Sequence, residues 1–166
     1  MDVQATSSND IWTILIAGYA AIVSTFVLGW DAYKWLVSGA KINLSATPYM
    51  KVYGGYPEDD SEYISVIATN VGDQPTTIVN LGGMYYDSLW KAYFFRGKPK
   101  ESFVVTEPSK TQQIPYRFEV GDQWIGLMSQ TDEFVEKAKT GYLFLILYTV
   151  GSGRGKRVRV KIGNDT

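Results

Sequence analysis

Residues 11–29 read IWTILIAGYAAIVSTFVLG, an apolar run without a single charge. At 1.5 Å rise per residue, a helix of roughly 19 residues spans about 28 Å, close to the hydrocarbon thickness of a bilayer. The run predicts one transmembrane helix, over residues 11–30. Trp12 and Trp30 stand at its two ends, and Tyr33 and Trp35 follow just beyond. Amphipathic rings settle at the headgroup level, so these four residues mark the membrane interface. The stretch DAYKWLVSG continues without Pro or Gly as far as Ser38, which fits a helical juxtamembrane extension within residues 31–40, ended at Gly39, and equally a frayed interfacial anchor.

A secretory signal peptide is the competing reading, because Ser38-Gly39-Ala40 resembles a small-residue cleavage site. The leader argues against it. MDVQATSSND, a short tail over residues 1–10, holds Asp2 and Asp10 and no Lys or Arg, whereas the start of a signal peptide is basic and its apolar part shorter. No basic residue precedes the helix, while Lys34, Lys41 and Lys51 follow it, with Asp31 on the same side. The positive-inside tendency places the C-terminal part in the cytosol, with the helix crossing the membrane once.

The helix carries a second pattern. Thr13, Ala17, Ala21, Thr25 and Gly29 recur every four residues, with Gly18, Ala20 and Ser24 beside them. Small residues on one ridge let helices approach closely, and in lipid that packing is what drives association. The stripe therefore predicts a homo-oligomer, although small residues are common in membrane helices. One helix encloses nothing, so a pore needs several copies, with Thr13, Ser24 and Thr25 hydroxyls facing a narrow water path.

Residues 41–166 are the size of one ordinary domain. The 166-residue chain has no cysteine and no histidine, which removes disulfides, thiolate metal sites and the commonest general base. A formal net charge of −1 gives no bulk attraction to polyanions. The domain reads as short β-segments at 42–53, 63–70, 76–84, 89–95, 112–120, 141–150 and 157–162. Turn clusters GGYPEDD, NVGDQP, RGKPKE, EPSK and GSGRG separate them. About seven strands in this length predict a sandwich. In EYISVIATN, Ile64, Val66 and Ala68 share one face, and Tyr63, Ser65, Ile67 and Thr69 the other. YLFLILYTV is apolar throughout, as in a central strand covered on both sides. One short helix is expected over 131–140, with Thr131 as cap, acids in the first turn and lysines in the last.

The most polar constellation is GSGRGKRVRVKI. Arg157, Arg159 and Lys161 alternate with Val158, Val160 and Ile162, and Arg154 and Lys156 precede them. Three cations on a strand and two in the turn before it, gathered on an edge or outer face, suit an anionic ligand, a nucleotide or oligonucleotide phosphate or a lipid headgroup. They also suit a charged edge strand that resists aggregation. GSGRGK lacks the Lys-Ser/Thr ending of a phosphate loop, so residues 151–155 are read as a hairpin turn. Glu58, Asp59, Asp60 and Glu62, and then Asp122, Asp132 and Glu133, show neither calcium-loop spacing nor a partner nucleophile. Solvated loop acids are the simpler reading. Residues 121–124, Gly-Asp-Gln-Trp, and the aromatic run from Met84 to Phe95 look like turn and core. The 12 tyrosines suit β packing better than base stacking. No catalytic residue, metal or cofactor is expected. Asn43-Leu44-Ser45 and Asn164-Asp165-Thr166 match glycosylation sequons, which are silent in a cytosolic domain.

A membrane helix ending in Trp30 is followed by INLSATPYM and by Asn70-Val71-Gly72 with Pro75 and Thr77-Ile78. Ile114-Pro115 then leads to Val120-Gly121-Asp122. This order resembles small bacterial single-pass membrane proteins with a cytosolic immunoglobulin-like β-sandwich, which implies a place in the cell inner membrane. The resemblance covers most of the chain and implies a mainly β fold: one transmembrane helix, then an antiparallel sandwich with one short helix. By architecture the chain also resembles membrane effectors of bacterial antiphage defence, including channel-forming effectors of the Hailong type held closed by a nucleic-acid ligand. Two functions are expected from this: an oligomeric pore or channel effector whose sandwich senses a ligand or partner, or a passive anchored module recruiting a protein through the sandwich.

Overall fold

In a computed structural model of the protein, which describes residues 3–53, 59–93 and 98–163, the chain divides into two compact units, Met1–Ser38 and Gly39–Thr166. The first unit is a single helix, α1 (Val3–Val37), of 35 residues. It takes in both residues 3–10, expected as a tail, and residues 31–37, expected as a helical extension. Ser38 N–H still donates to the Lys34 carbonyl at 2.8 Å, one residue past the helix end. Within α1, Phe26 stacks on Trp30 with centroids 6.4 Å apart, and Lys34 Nζ lies 5.8 Å from the Trp30 ring centroid.

The second unit is mainly β. Its elements are β1 (Ile42–Val52), β2 (Asp59–Asn70), β3 (Thr76–Tyr86), α2 (Leu89–Tyr93), β4 (Glu101–Val104), β5 (Tyr116–Phe118), β6 (Gln123–Ser129), α3 (Asp132–Thr140), β7 (Tyr142–Thr149) and β8 (Lys156–Arg159). Two antiparallel sheets form, one ordered β1-β2-β6 and the other β4-β3-β7-β8, with β5 pairing the start of β3. Period-two alternation aims one face of each sheet at a shared core. Ile64, Val66 and Ala68 of β2 are fully buried there with Trp124 of β6, and so are Leu143, Leu145 and Leu147 of β7. The apolar run in β7 is central as expected, between β3 and β8. Its other face is covered too, with Phe144 3% and Ile146 4% exposed.

Several expectations are corrected. Residues 89–95 were expected as a strand, but Leu89–Tyr93 is helical; residues 94 and 95 lie outside the described residues. A short apolar run is ambiguous between helix and strand, and its own pattern does not choose between them. The Lys91–Asp87 pair at 2.9 Å spans one helical turn, and its hydrogen bond holds the Asp87 carboxyl below the usual range. The place beside β3 is filled instead by β4, with Phe103 opposite Gly83. Among the described residues the domain therefore has two short helices rather than one. Strand β6 lay partly in the segment read as turn and core. Gly126 interrupts its strand signal, yet a Cβ there would strike the Trp124 indole, so glycine is what lets the indole fold down. Thr131 stands at the start of α3, but its side chain makes no capping bond. Phe134 and Lys137 hold α3 to β4 instead: Phe134 packs on Phe103 with centroids 4.9 Å apart, and Lys137 pairs with Glu101.

Of the expected strand 112–120, only Tyr116–Phe118 pairs as one. The residues before it cover the outer edge of β6. Leu127 N–H donates to the Pro108 carbonyl at 2.5 Å, and Ile125 N–H donates to Gln112 Oε1 at 2.9 Å. Gln112 also accepts, through its carbonyl, from Trp124 Nε1–H at 2.9 Å. An edge satisfied in this way offers no template for another strand. The edge strand β1 is broken by a register shift between Thr47 and Met50, where Pro48 and Tyr49 sit.

Candidate functional site

The helix α1 and the basic strand are the two candidate regions, and each belongs to its own unit. From Asp10 to Val37 the helix is long and apolar enough to span a membrane, with a mean hydropathy of 2.1 and none of the scored window buried. Trp12, Trp30, Tyr33 and Trp35 are all more than half exposed. At about 100° per residue, each four-residue step turns the small stripe by about 40°, so Thr13 and Gly29 end up about 160° apart around the axis. Such a ridge crosses the helix obliquely. Two helices meeting along it would cross steeply, as ridges spaced by four do. Ala17, Ala21, Ser24 and Gly29 keep open faces, whereas Thr25 Oγ1 donates to its own Ala21 carbonyl at 2.8 Å. Its hydroxyl proton is thus already placed, and what it shows a neighbour is a methyl and an acceptor.

The strand expected over 157–162 is shorter, ending at Arg159 as β8, but the alternation continues past its end. Val160 is fully buried and Ile162 nearly so, while Arg157 and Lys161 are exposed and Arg159 half-buried. The pairing with β7 sets Arg159 opposite Phe144 and Arg157 opposite Ile146. Both guanidinium groups lie over rings. The Arg157 guanidinium is 5.2 Å from the Tyr93 centroid and 5.4 Å from that of Phe144, and its Nη1 donates to the Ala92 carbonyl at 2.8 Å. The Arg159 guanidinium is 4.5 Å from the Tyr142 centroid. Its Nε is buried without a hydrogen-bond partner among the described residues.

The five cations do not converge. Arg157 and Arg159 share the outer face of one sheet, Arg154 and Lys156 sit at the turn that starts β8, and Lys161 follows its end. That turn is the hairpin expected over 151–155, with Gly151 at φ 81° and Gly155 at φ 64°. What sequence reasoning missed were the aromatic partners Tyr93, Tyr142 and Phe144. The outward residues of YLFLILYTV were a signal for two of them, but only the strand register sets them under arginines. Chemically the face offers guanidinium donors beside π surfaces, suited to an anion or a planar base. Arg157 already spends part of that capacity on the α2 backbone.

The acids stay apart from this face. Glu62 Oε2 accepts from Gln130 Nε2 at 3.2 Å, and Asp122 Oδ2 accepts from Glu119 N–H at 3.1 Å. Among the described residues no three acids gather as a metal-binding group, and Glu58 lies outside them. The sequon at 164–166 lies outside them as well. The chain matches no family model, no curated protein and no solved structure.

Proposed function

We propose that the protein is an oligomeric membrane effector of pore or channel type, with α1 spanning the inner membrane and an immunoglobulin-like sandwich in the cytosol. The observation that carries this reading is an apolar helix whose sides are all open, crossed by the ridge Thr13, Ala17, Ala21, Thr25 and Gly29. An exposed small-residue ridge calls for a partner helix, and a second copy supplies one. The sandwich acts as the sensor: a nucleotide, an oligonucleotide or a protein partner at Arg154, Lys156, Arg157, Arg159 and Lys161 favours one packing of the helices over another. Such control requires different affinities for the closed and open assemblies. A role in antiphage defence follows from the architectural resemblance.

One observation favours the passive anchored module. Arg157 is bound to Ala92 and stacked on two rings, so it serves α2 as well as any ligand. Ion flux through vesicles holding the full-length protein decides between the two. The effector reading expects a conductance that disappears in Thr13→Leu and Thr25→Leu, from an assembly of four or more copies. Electrically silent vesicles with a monomer or dimer, together with capture of a defined protein partner, would replace it with the module.

A further inference from the structure

Four chain segments meet at one end of the two-sheet domain: residues 39–41, where the chain arrives from α1, and the turns at 71–75, 119–122 and 150–155. The registers require it, since Ile42 lies opposite Asn70, Thr69 opposite Gln123, Thr76 opposite Phe118 and Ile78 opposite Thr149. Backbone bonds tie these segments together. Val71 N–H donates to the Lys41 carbonyl at 2.8 Å, Gly121 N–H to the Asn70 carbonyl at 2.8 Å, and Val150 N–H to the Thr77 carbonyl at 2.9 Å.

Each of the three turns carries the same pair: Val71-Gly72, Val120-Gly121 and Val150-Gly151. The valines are 62%, 50% and 64% exposed, in that order. Valine is a strand and core residue, and nothing in the sheets needs it at a turn tip. The charges around the tips are asymmetric. Lys41, Arg154 and Lys156 are exposed and form none of the ion pairs seen among the described residues. The acids at this end are engaged: Asp73 Oδ1 accepts from Gly39 N–H at 2.6 Å, Asp122 from Glu119 N–H, and Glu119 pairs with Arg117 at 2.5 Å.

We propose that this end of the domain docks on the headgroup layer of an anionic bilayer, with Val71, Val120 and Val150 entering the interface and Lys41, Arg154 and Lys156 meeting lipid phosphates. The inference rests on the reading of α1 as the membrane anchor, because the chain enters the domain at the same end. Exposed apolar tips ringed by unpaired cations match the make-up of an anionic bilayer surface, with an apolar layer beneath phosphates. A domain already tethered beside a membrane needs only a shallow foothold. Basic residues near an anionic surface each shift such an equilibrium about fivefold.

The absence of cysteine makes the test direct. Single variants Val71→Cys, Val120→Cys and Val150→Cys, with Glu136→Cys on α3 and Ala20→Cys in α1 as references, are labelled with a fluorophore. The full-length protein is then placed in vesicles of phosphatidylcholine with and without phosphatidylglycerol. The three tips should be quenched by lipid-borne quencher and shielded from iodide in the anionic vesicles, and Glu136 should not. Arg154→Gln with Lys156→Gln should lower the docked-to-free ratio about 25-fold. Tips as open to iodide as Glu136 would overturn the proposal. Tips shielded from both quenchers would overturn it too, in favour of a second copy or a protein partner. Ala20 reports on the anchor separately: iodide access there with lipid-quenched tips would remove the spanning helix and leave the docking surface standing.

Discussion

Asn70→Ala should weaken the joint between the two sheets. Asn70 is fully buried at the end of β2. Its Nδ2 donates to the Phe118 carbonyl at 3.3 Å and to the Gln74 carbonyl at 2.9 Å, and its Oδ1 accepts from Gly72 N–H at 3.1 Å. Two carbonyls on one side and an N–H on the other leave only one orientation for the amide. Alanine strips a buried bond worth about 1–3 kcal/mol and two part-buried ones worth about 0.5–1 kcal/mol each. The sum is about 2–5 kcal/mol, which for a domain of this size lowers the melting midpoint by roughly 6–15 °C. Urea and thermal unfolding of the full-length protein in detergent, followed by β-sheet circular dichroism, measure it. Asn70→Asp is the decisive companion, since it sets an oxygen against two carbonyls and should cost at least as much as alanine. If Asn70→Asp stayed within about 0.5 kcal/mol of the parent protein, the donor role would be refuted.

Gly72→Ala should open the pairing between residues 71–73 and 39–41, because a Cβ there collides with the Gly39 carbonyl and the Lys41 nitrogen. A cost of about 2 kcal/mol would speed hydrogen exchange at the Val71 and Asp73 amides by roughly thirtyfold, and unchanged rates would show that the backbone yields freely. Arg157→Ala should release α2 at a cost of about 1–2 kcal/mol, seen as faster proteolysis at residues 89–93. Arg157→Lys, which keeps the charge without the flat guanidinium, should restore less than half of that protection. The hydrogen bonds from Lys137 to Glu101 and Glu133 raise its pKa above the ordinary 10.5. Because the folded value is the higher one, the contribution to stability is complete below pH 10.5 and falls away as pH rises through the folded value. Lys137→Met should remove that alkaline step from a series of melting curves, and a step that persisted would assign it to other groups.

A local signal was enough wherever one period ruled a long segment. The helix over residues 11–37 was legible because a long apolar run without Pro has no other regular form, and the aromatic residues at its ends needed no partner to be seen. The strands 42–52, 63–70, 76–84 and 142–149 were legible because alternation or continuous apolarity directly states which faces are buried. Where two forms share a pattern, only distant contacts chose. Leu89–Tyr93 became a helix because β4 took the place beside β3 and Arg157 caught the Ala92 carbonyl, neither of which is local information. Gly126 hid β6, since its purpose is an indole two residues away that turns inward only once the sheets face each other. The candidate surfaces divide in the same way. Spacing along the chain produced the basic strand and the small-residue ridge, but pairing register set Arg157 and Arg159 over rings and left Arg154 and Lys156 at the end where the chain arrives. Three Val-Gly pairs, 71–72, 120–121 and 150–151, are far apart along the chain, and the antiparallel returns of both sheets bring them to one end. Sequence determines what each segment can bury, because that depends on its own period. Tertiary structure determines which segments become neighbours, because register and sheet order are settled by the whole core at once.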